Sequence, residues 1–282
     1  MEPAGIALRL LVYLDSALLL GILLYSASWT RQVRLATAVF AAVGILLTTV
    51  TMLKLAASFS DSAAFFDTPT LQMLLTETAM GWATVARITA LLAVVALALT
   101  SAKRFFPILF AFIAVVSLSW NGHGAMTDNA LGWLHLAGSA LHLLAAFGWI
   151  GAITAFLWAA MLSQESSRDL AVRLERFPGV GTTFVAALLA TGIANTLFIV
   201  GLNTLPTLLE TTYGRLLVVK IGLFTFMLAA AAANRFWLTP RMVTTSSLAA
   251  VRTSLGAELM LGIAVLAIVA WLGTLDPAQN PS

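Results

Sequence analysis

The sequence predicts an all-α fold: a polytopic transmembrane bundle of eight helices. Three observations carry this expectation. Of the 282 residues, 60% are hydrophobic and only 10% are charged, against roughly 25% charged in soluble domains. Apolar stretches recur along the chain, most of them near the 20 or so residues that a bilayer-crossing helix needs, and each stops at charged or turn-forming residues. Between them no polar stretch is long enough for a soluble domain. Residues 1–282 therefore read as a single integral membrane domain.

Taken in order, the spans cover residues 6–26, 35–56, 79–100, 105–120, 132–162, 178–201, 213–234 and 250–273. The first does not read as a cleaved signal peptide. Glu2 stands where a basic region belongs, Asp15 interrupts the apolar run, and no A-x-A site follows. The fourth span is short, with Pro107 in its first turn, where a missing N–H costs little. The sixth is expected to begin at residue 178.

Orientation follows from the basic residues. Arg31, Arg34, Lys103, Arg104, Arg168, Arg173, Arg176, Arg235, Arg241 and Arg252, ten of the fifteen, follow the odd-numbered spans. The positive-inside rule makes those loops cytoplasmic and puts both termini outside, in the periplasm of a two-membrane bacterium. Asp61, Asp67, Glu77, Asp128, Glu210 and Asp276 fall on the opposite side. The pI near 9.7 thus reports topology, and no nucleic-acid partner is expected. The chain has no cysteine, which excludes disulfides and thiolate chemistry. It also lacks Walker, GxGxxG and HExxH patterns, so nucleotide or zinc-protease chemistry has no support.

The fifth span carries the chemistry. His135, His142 and Trp149 are spaced by sevens, nearly two helical turns, and so share one stripe. The two imidazoles are roughly 10 Å apart in depth. His123 lies just before the span, which brings all three histidines of the chain to the outer side and middle of the bundle. Polar groups at such depth usually face a cavity or the bundle interior. Imidazole is a ligand for several transition metals, so a metal or cofactor role is expected, with interhelical hydrogen bonding as the plainer alternative.

Other polar residues are weighed in the same way. Asp15 has about the depth of His142 and reads either as a metal or proton ligand or as the partner of Arg9 or Arg87. Met73, Glu77 and Met80, spaced by four and three, would share a face at the outer end of the third span. With Met52 and Met126 they would offer thioether sulfur to Cu(I), or simply pack. Arg87 and Lys220 are near enough to the outer face to snorkel. Glu258 is intramembrane by these boundaries, and Asn195 and Asn234 are expected to bridge helices.

Together these residues resemble the CopD family of copper-resistance membrane proteins. The pattern H-x6-H-x6-W-x-G is met by His135, His142, Trp149 and Gly151, with Ala152 where the family often has a second glycine. Gly122-His123-Gly124 is similar to the family's Gly-His element. Arg176-Phe177, Thr191-Gly192 with Asn195, Tyr213-Gly214-Arg215-Leu216-Leu217 with Lys220, and Asn234-Arg235 with Pro240 follow in the family's order. The resemblance implies an inner-membrane permease, not an enzyme, that carries copper, as Cu(I) or Cu(II), from periplasm to cytoplasm. His123, His135, His142, Met126 and Asp15 would be ligands, and Met73, Glu77 and Met80 a possible entry. Trp149, Arg87, Asn195 and Lys220 would serve structure or coupling. A periplasmic CopC-type carrier would be a separate partner. The rivals are a haem-binding or copper-reducing redox protein, and an assembly factor that delivers copper without transporting it. Two histidines on one stripe cannot clamp one haem from both faces.

Overall fold

The computed structural model describes residues 3–59, 67–100, 102–121, 130–162, 167–200, 207–239, 241 and 248–275. Among them there is no strand. The helices are α1 (Pro3–Tyr25), α2 (Arg31–Phe59), α3 (Thr68–Glu77), α4 (Ala79–Leu99), α5 (Phe105–Val116), α6 (Ala130–Leu162), α7 (Ser167–Val200), α8 (Thr212–Ala233) and α9 (Ala249–Leu272). A tight 3-10 turn, Ser117–Asn121, extends α5, and a wide π-helical turn, Asn234–Leu238, extends α8. Seven of these segments are long and apolar enough to cross a membrane, and the shorter apolar helix at residues 105–121 makes the eighth. The all-α polytopic bundle is therefore as the sequence predicts.

Two details differ from expectation. Helix α7 starts at Ser167 and runs through Pro178 instead of beginning there. Proline removes one backbone bond, but the turns before it are held by packing. Leu170 and Ala171 are buried, and the Arg173 guanidinium donates to the carbonyl of Tyr25 at the end of α1. Near the third span the chain forms two helices, not one. Helix α3 has Pro69 in its first turn and ends at Thr78, whose backbone is extended. Thr78 Oγ1 then caps α4 by accepting from the Gly81 N–H at 2.9 Å. A Cβ on Gly81 would lie 2.0 Å from the Leu74 carbonyl oxygen, so this corner requires glycine.

Helices α1 and α6 form the axis. The membrane window of α6 is 61% buried, against 17% for α7 and 11% for α8. The two axial helices cross where Gly21 meets Gly151. A Cβ on either would lie 2.6 Å from a backbone oxygen of the other helix, and the crossing is flanked by buried Ala17 and Ala152. Small residues permit this close approach, which in lipid is the main source of helix association. Around the axis, α2 packs on α1 and α4, α5 packs on α4, α7 packs on α6, and α9 packs on α8, α6 and α1.

The two ends of the bundle differ. At one end Arg9 Nη1 donates to the Gly273 carbonyl at 2.7 Å, joining the start of α1 to the end of α9. The start of α1 and the end of α9 thus lie at one face, as an even number of crossings requires. At the other end Arg104 donates to the carbonyls of Ile22, Leu23 and Ser26, and Arg252 donates to that of Ala160. These arginines satisfy carbonyls that a helix end leaves without partners. The first end is called the terminal face below and the second the basic face.

Candidate functional site

The stripe of α6 runs along three cavities. The cavity nearest the terminal face, about 180 Å³, is lined by Arg9, His135, His142, Asn195, Tyr213 and Lys220. The middle one, about 390 Å³, is almost wholly apolar, and His142, Trp149 and Lys220 line it. The third, about 230 Å³, lies toward the basic face and includes Trp149, Phe156, Asn234, Arg235 and Glu258. His142 thus borders the first and second cavities, and Trp149 borders the second and third. The seven-residue period continues to Phe156, so four successive stripe residues mark the whole column.

His135 is 4% exposed and stacks on Phe198 of α7, with ring centroids 4.8 Å apart and planes 13° from parallel. The contact fixes the ring at the edge of the first cavity. Leu134 and Leu141, one position back on each turn, are exposed toward lipid, as an amphipathic reading of the stripe requires.

The hydrogen bonds around His142 favour one tautomer. The Thr191 hydroxyl donates to the Ala187 carbonyl. A hydroxyl carries one proton, so at 2.8 Å from His142 Nδ1 the Thr191 oxygen must accept. The tautomer that fits this network carries its proton on Nδ1 and leaves the lone pair on Nε2. This is the arrangement of a ligating histidine whose second nitrogen is oriented by a neighbour. A Cβ on Gly192 would lie 3.7 Å from His142 Cε1, so the glycine of the Thr191-Gly192 pair leaves space beside the ring.

Asn195 Oδ1 lies 3.5 Å from the Ser139 hydroxyl, so Asn195 bridges α6 and α7 while it lines the first cavity. Lys220 does not snorkel to lipid; it borders the same two cavities as His142. Trp149 is 2% exposed, lies edge-on to Phe224, and donates Nε1–H to Glu258 Oε1 at 3.2 Å. Asn234 Nδ2 donates to Glu258 Oε2 at 2.9 Å. The link from Trp149 to Glu258 and the Thr191 anchor were not legible in the sequence. An acidic residue inside the last span was the one signal for the former.

Other expected site residues lie elsewhere. Asp15 is 4% exposed and faces α2, where a Cβ on Gly44 would lie 2.7 Å from its Oδ2. It borders none of the three cavities, so the structure does not bring it to His142. Arg87 also does not snorkel. It is 2% exposed and donates to Thr48 Oγ1 at 2.9 Å, to Ser16 Oγ at 3.0 Å and to the Ala114 carbonyl. It lies within electrostatic reach of Asp15. Arg9, the other expected partner of Asp15, is committed to Gly273. Met73 and Glu77 belong to α3 and Met80 to α4, so the break at Thr78 interrupts the shared face expected of them. Met73 and Glu77 are exposed, and Met52 is buried against Leu74. His123 and Met126 lie outside the described residues.

Among the described residues no three His, Cys, Asp or Glu side chains converge on one point. Tight structural metal sites close with about four ligands. Two imidazoles spaced along a column of cavities do not make such a closed site.

Known proteins bear on this geometry. The family profile described as "Copper resistance protein D-like, N-terminal domain" matches residues 1–133, and that described as "Copper resistance protein D" matches residues 171–272. Most of α6 lies between them. Copper resistance protein D of Pseudomonas syringae pv. tomato is 33% identical over 99% of this chain and 98% of its own length. Inner membrane protein YebZ of Escherichia coli is 34% identical over 57% of this chain and 56% of its own. Copper transport protein CutJ of Bacillus subtilis is 28% identical over 100% of this chain, which spans 54% of that longer protein. No solved structure matches. A multi-pass bundle and full-length similarity at this level lead to one conclusion: the chain belongs to the copper resistance protein D family, as a copper-related multi-pass protein of the bacterial inner membrane.

Proposed function

We propose that this protein is a permease, not an enzyme, that passes copper from periplasm to cytoplasm along the α6 stripe. One observation carries the reading: His142 and Trp149 are each shared by two adjoining cavities, so the stripe threads all three. The terminal face is periplasmic on the balance of basic residues. Copper enters there, with His123 and Met126 near the mouth in sequence, and moves from His135 to Nε2 of His142. Asn195 and Lys220 shape the first two cavities, and Trp149 separates the second from the third. A periplasmic CopC-type carrier is the fitting donor. Copper is the substrate, in the oxidation state that its donor presents.

The reading is tested with purified protein in liposomes. Copper uptake should be present in the native chain and lost in His142→Ala, with bound copper per protein and melting temperature measured on the same samples. Uptake undiminished in His142→Ala would overturn it. A haem absorbance spectrum in the purified protein would favour the redox rival, and bound copper without uptake would favour delivery. A reporter in the α6–α7 connection should read cytoplasmic and one at the C-terminus periplasmic; the reverse would invert the direction.

A further inference from the structure

Glu258 is a buried carboxyl that the copper path does not use. It is 3% exposed and borders the cavity nearest the basic face. Each of its oxygens accepts one hydrogen bond, Oε1 from the Trp149 indole and Oε2 from the Asn234 amide. A buried carboxylate is costly unless it is compensated, and among the described residues no cation lies within ion-pair distance of it. The charged groups facing this cavity are few. Helices α6 and α7 contribute no titratable side chain to its lining, α9 contributes Glu258 alone, and the π-helical turn contributes Arg235. Arg235 is exposed, lies over the Phe236 ring and donates to Thr182 Oγ1 at 3.4 Å. On α9 itself, Arg252 is committed to the Ala160 carbonyl.

Asn234 supplies the second observation. Its Oδ1 is buried and has no hydrogen-bond partner among the described residues. An amide offers donors on one side and an acceptor on the other, so it can serve either form of a facing carboxyl. It donates to the ionised form, as seen here. Turned over, it accepts from the O–H of the acid form. The π-helical turn begins at Asn234, and such turns recur at functional sites.

We propose that Glu258 and Asn234 form a proton-binding site at the basic-face end of the copper column. A hydronium ion reaching the third cavity gives its proton to Glu258 Oε2. One O–H bond forms, one O–H bond of the hydronium breaks, and water leaves. Asn234 turns so that Oδ1 accepts the new O–H, while the Trp149 N–H stays on Oε1. Protonation cancels the charge to which Trp149 donates. Because Trp149 borders both this cavity and the middle one, the proton changes the partition that copper must pass. That coupling rests on the permease reading; the protonation does not.

Two measurements separate them. On purified copper-free protein, infrared difference spectra across a pH titration should show the C=O band of a neutral carboxylic acid. The band should vanish in Glu258→Gln, move in frequency in Asn234→Leu and persist in Asp15→Asn. A band unchanged in Glu258→Gln overturns the site whether or not the protein carries copper. In liposomes, uptake by the native chain should depend on the pH of the cytoplasmic-side buffer. Glu258→Gln should keep uptake and copper stoichiometry and lose that dependence. Retained pH dependence overturns the coupling. Lost copper stoichiometry shows a metal ligand instead and overturns the proton site. Absence of uptake in the native chain would sink the permease reading and the coupling, while the infrared result would still decide the site.

Discussion

Arg87 and His142 are both polar residues within the membrane, the first buried in the amino-terminal half of the bundle and the second half-buried in the carboxy-terminal half. Their surroundings differ. Arg87 spends its donors on Ser16, Thr48 and the Ala114 carbonyl, and so ties α1, α2, α4 and α5 together. None of the three cavities is bordered by Arg87 or Asp15. Among the described residues His142 makes one side-chain bond, to Thr191, and it opens onto two cavities. A polar group in lipid must find a partner or face space that a polar guest can enter. The first region takes the former course and is a clasp. The second takes the latter and opens onto cavities, as the passage proposed above requires. Intramembrane polarity alone does not distinguish the two regions; the empty volume beside His142 does.

Four groups of substitutions break or sharpen this contrast, ordered here by their cost to stability. Arg87→Leu leaves a buried carboxyl, two hydroxyls and a carbonyl without their cation. Removing one member of such a buried set typically costs about 3–5 kcal/mol. Thermal melting should fall sharply, while any folded fraction binds copper at native stoichiometry. Copper lost from a well-folded Arg87→Leu sample would make the clasp part of the passage.

Gly151→Ala attacks the seam between the two regions. Its Cβ would meet the α1 backbone at 2.6 Å, and overpacking of this kind costs about 1–3 kcal/mol. Gly21→Ala should cost a similar amount, and the double substitution less than the sum, because both push the same pair of helices apart. Strict additivity in the melting data would argue against a single shared crossing.

His142→Ala reverses the pattern. The lost interhelical bond to Thr191 is worth about 1 kcal/mol, so melting should change little while copper uptake disappears. Thr191→Val, which removes only the group that orients Nδ1, should weaken copper binding less than His142→Ala does. Equal losses would mean that Thr191 itself contacts the ion.

Replacing Met73 and Met80 together by Leu should change stability least, within about 0.5 kcal/mol as for most substitutions away from packed features. Leu preserves volume and removes sulfur, so Cu(I) capture at low concentration is the informative measurement. A marked loss of capture would restore these two residues as an entry surface despite the break between their helices.

The contrast also separates what composition and spacing determined from what packing decided. Eight crossings and their all-helical nature follow from hydropathy, because every backbone group in lipid must be satisfied within its own helix, and the alternation of basic loops follows from the placement of Lys and Arg. The seven-residue stripe was equally legible: a helix period acts on each residue locally, so His135, His142 and Trp149 share a face whatever surrounds them. Local rules also misled. The sixth span was placed from residue 178, yet anchored turns before it start α7 at Ser167, and the face shared by Met73 and Met80 assumed a helix that Thr78 and Gly81 break. Asp15 and His142 have the same depth, but depth says nothing of direction around a helix. Only the crossing at Gly21 and Gly151 decides that α1 turns Asp15 toward α2 and Tyr13 toward the column. Likewise Trp149 and Glu258 stand 109 positions apart, and their hydrogen bond exists because α9 packs on α6. Cavities, tautomers and partners of buried charges are properties of distant segments brought together, and no local pattern along one helix can specify them.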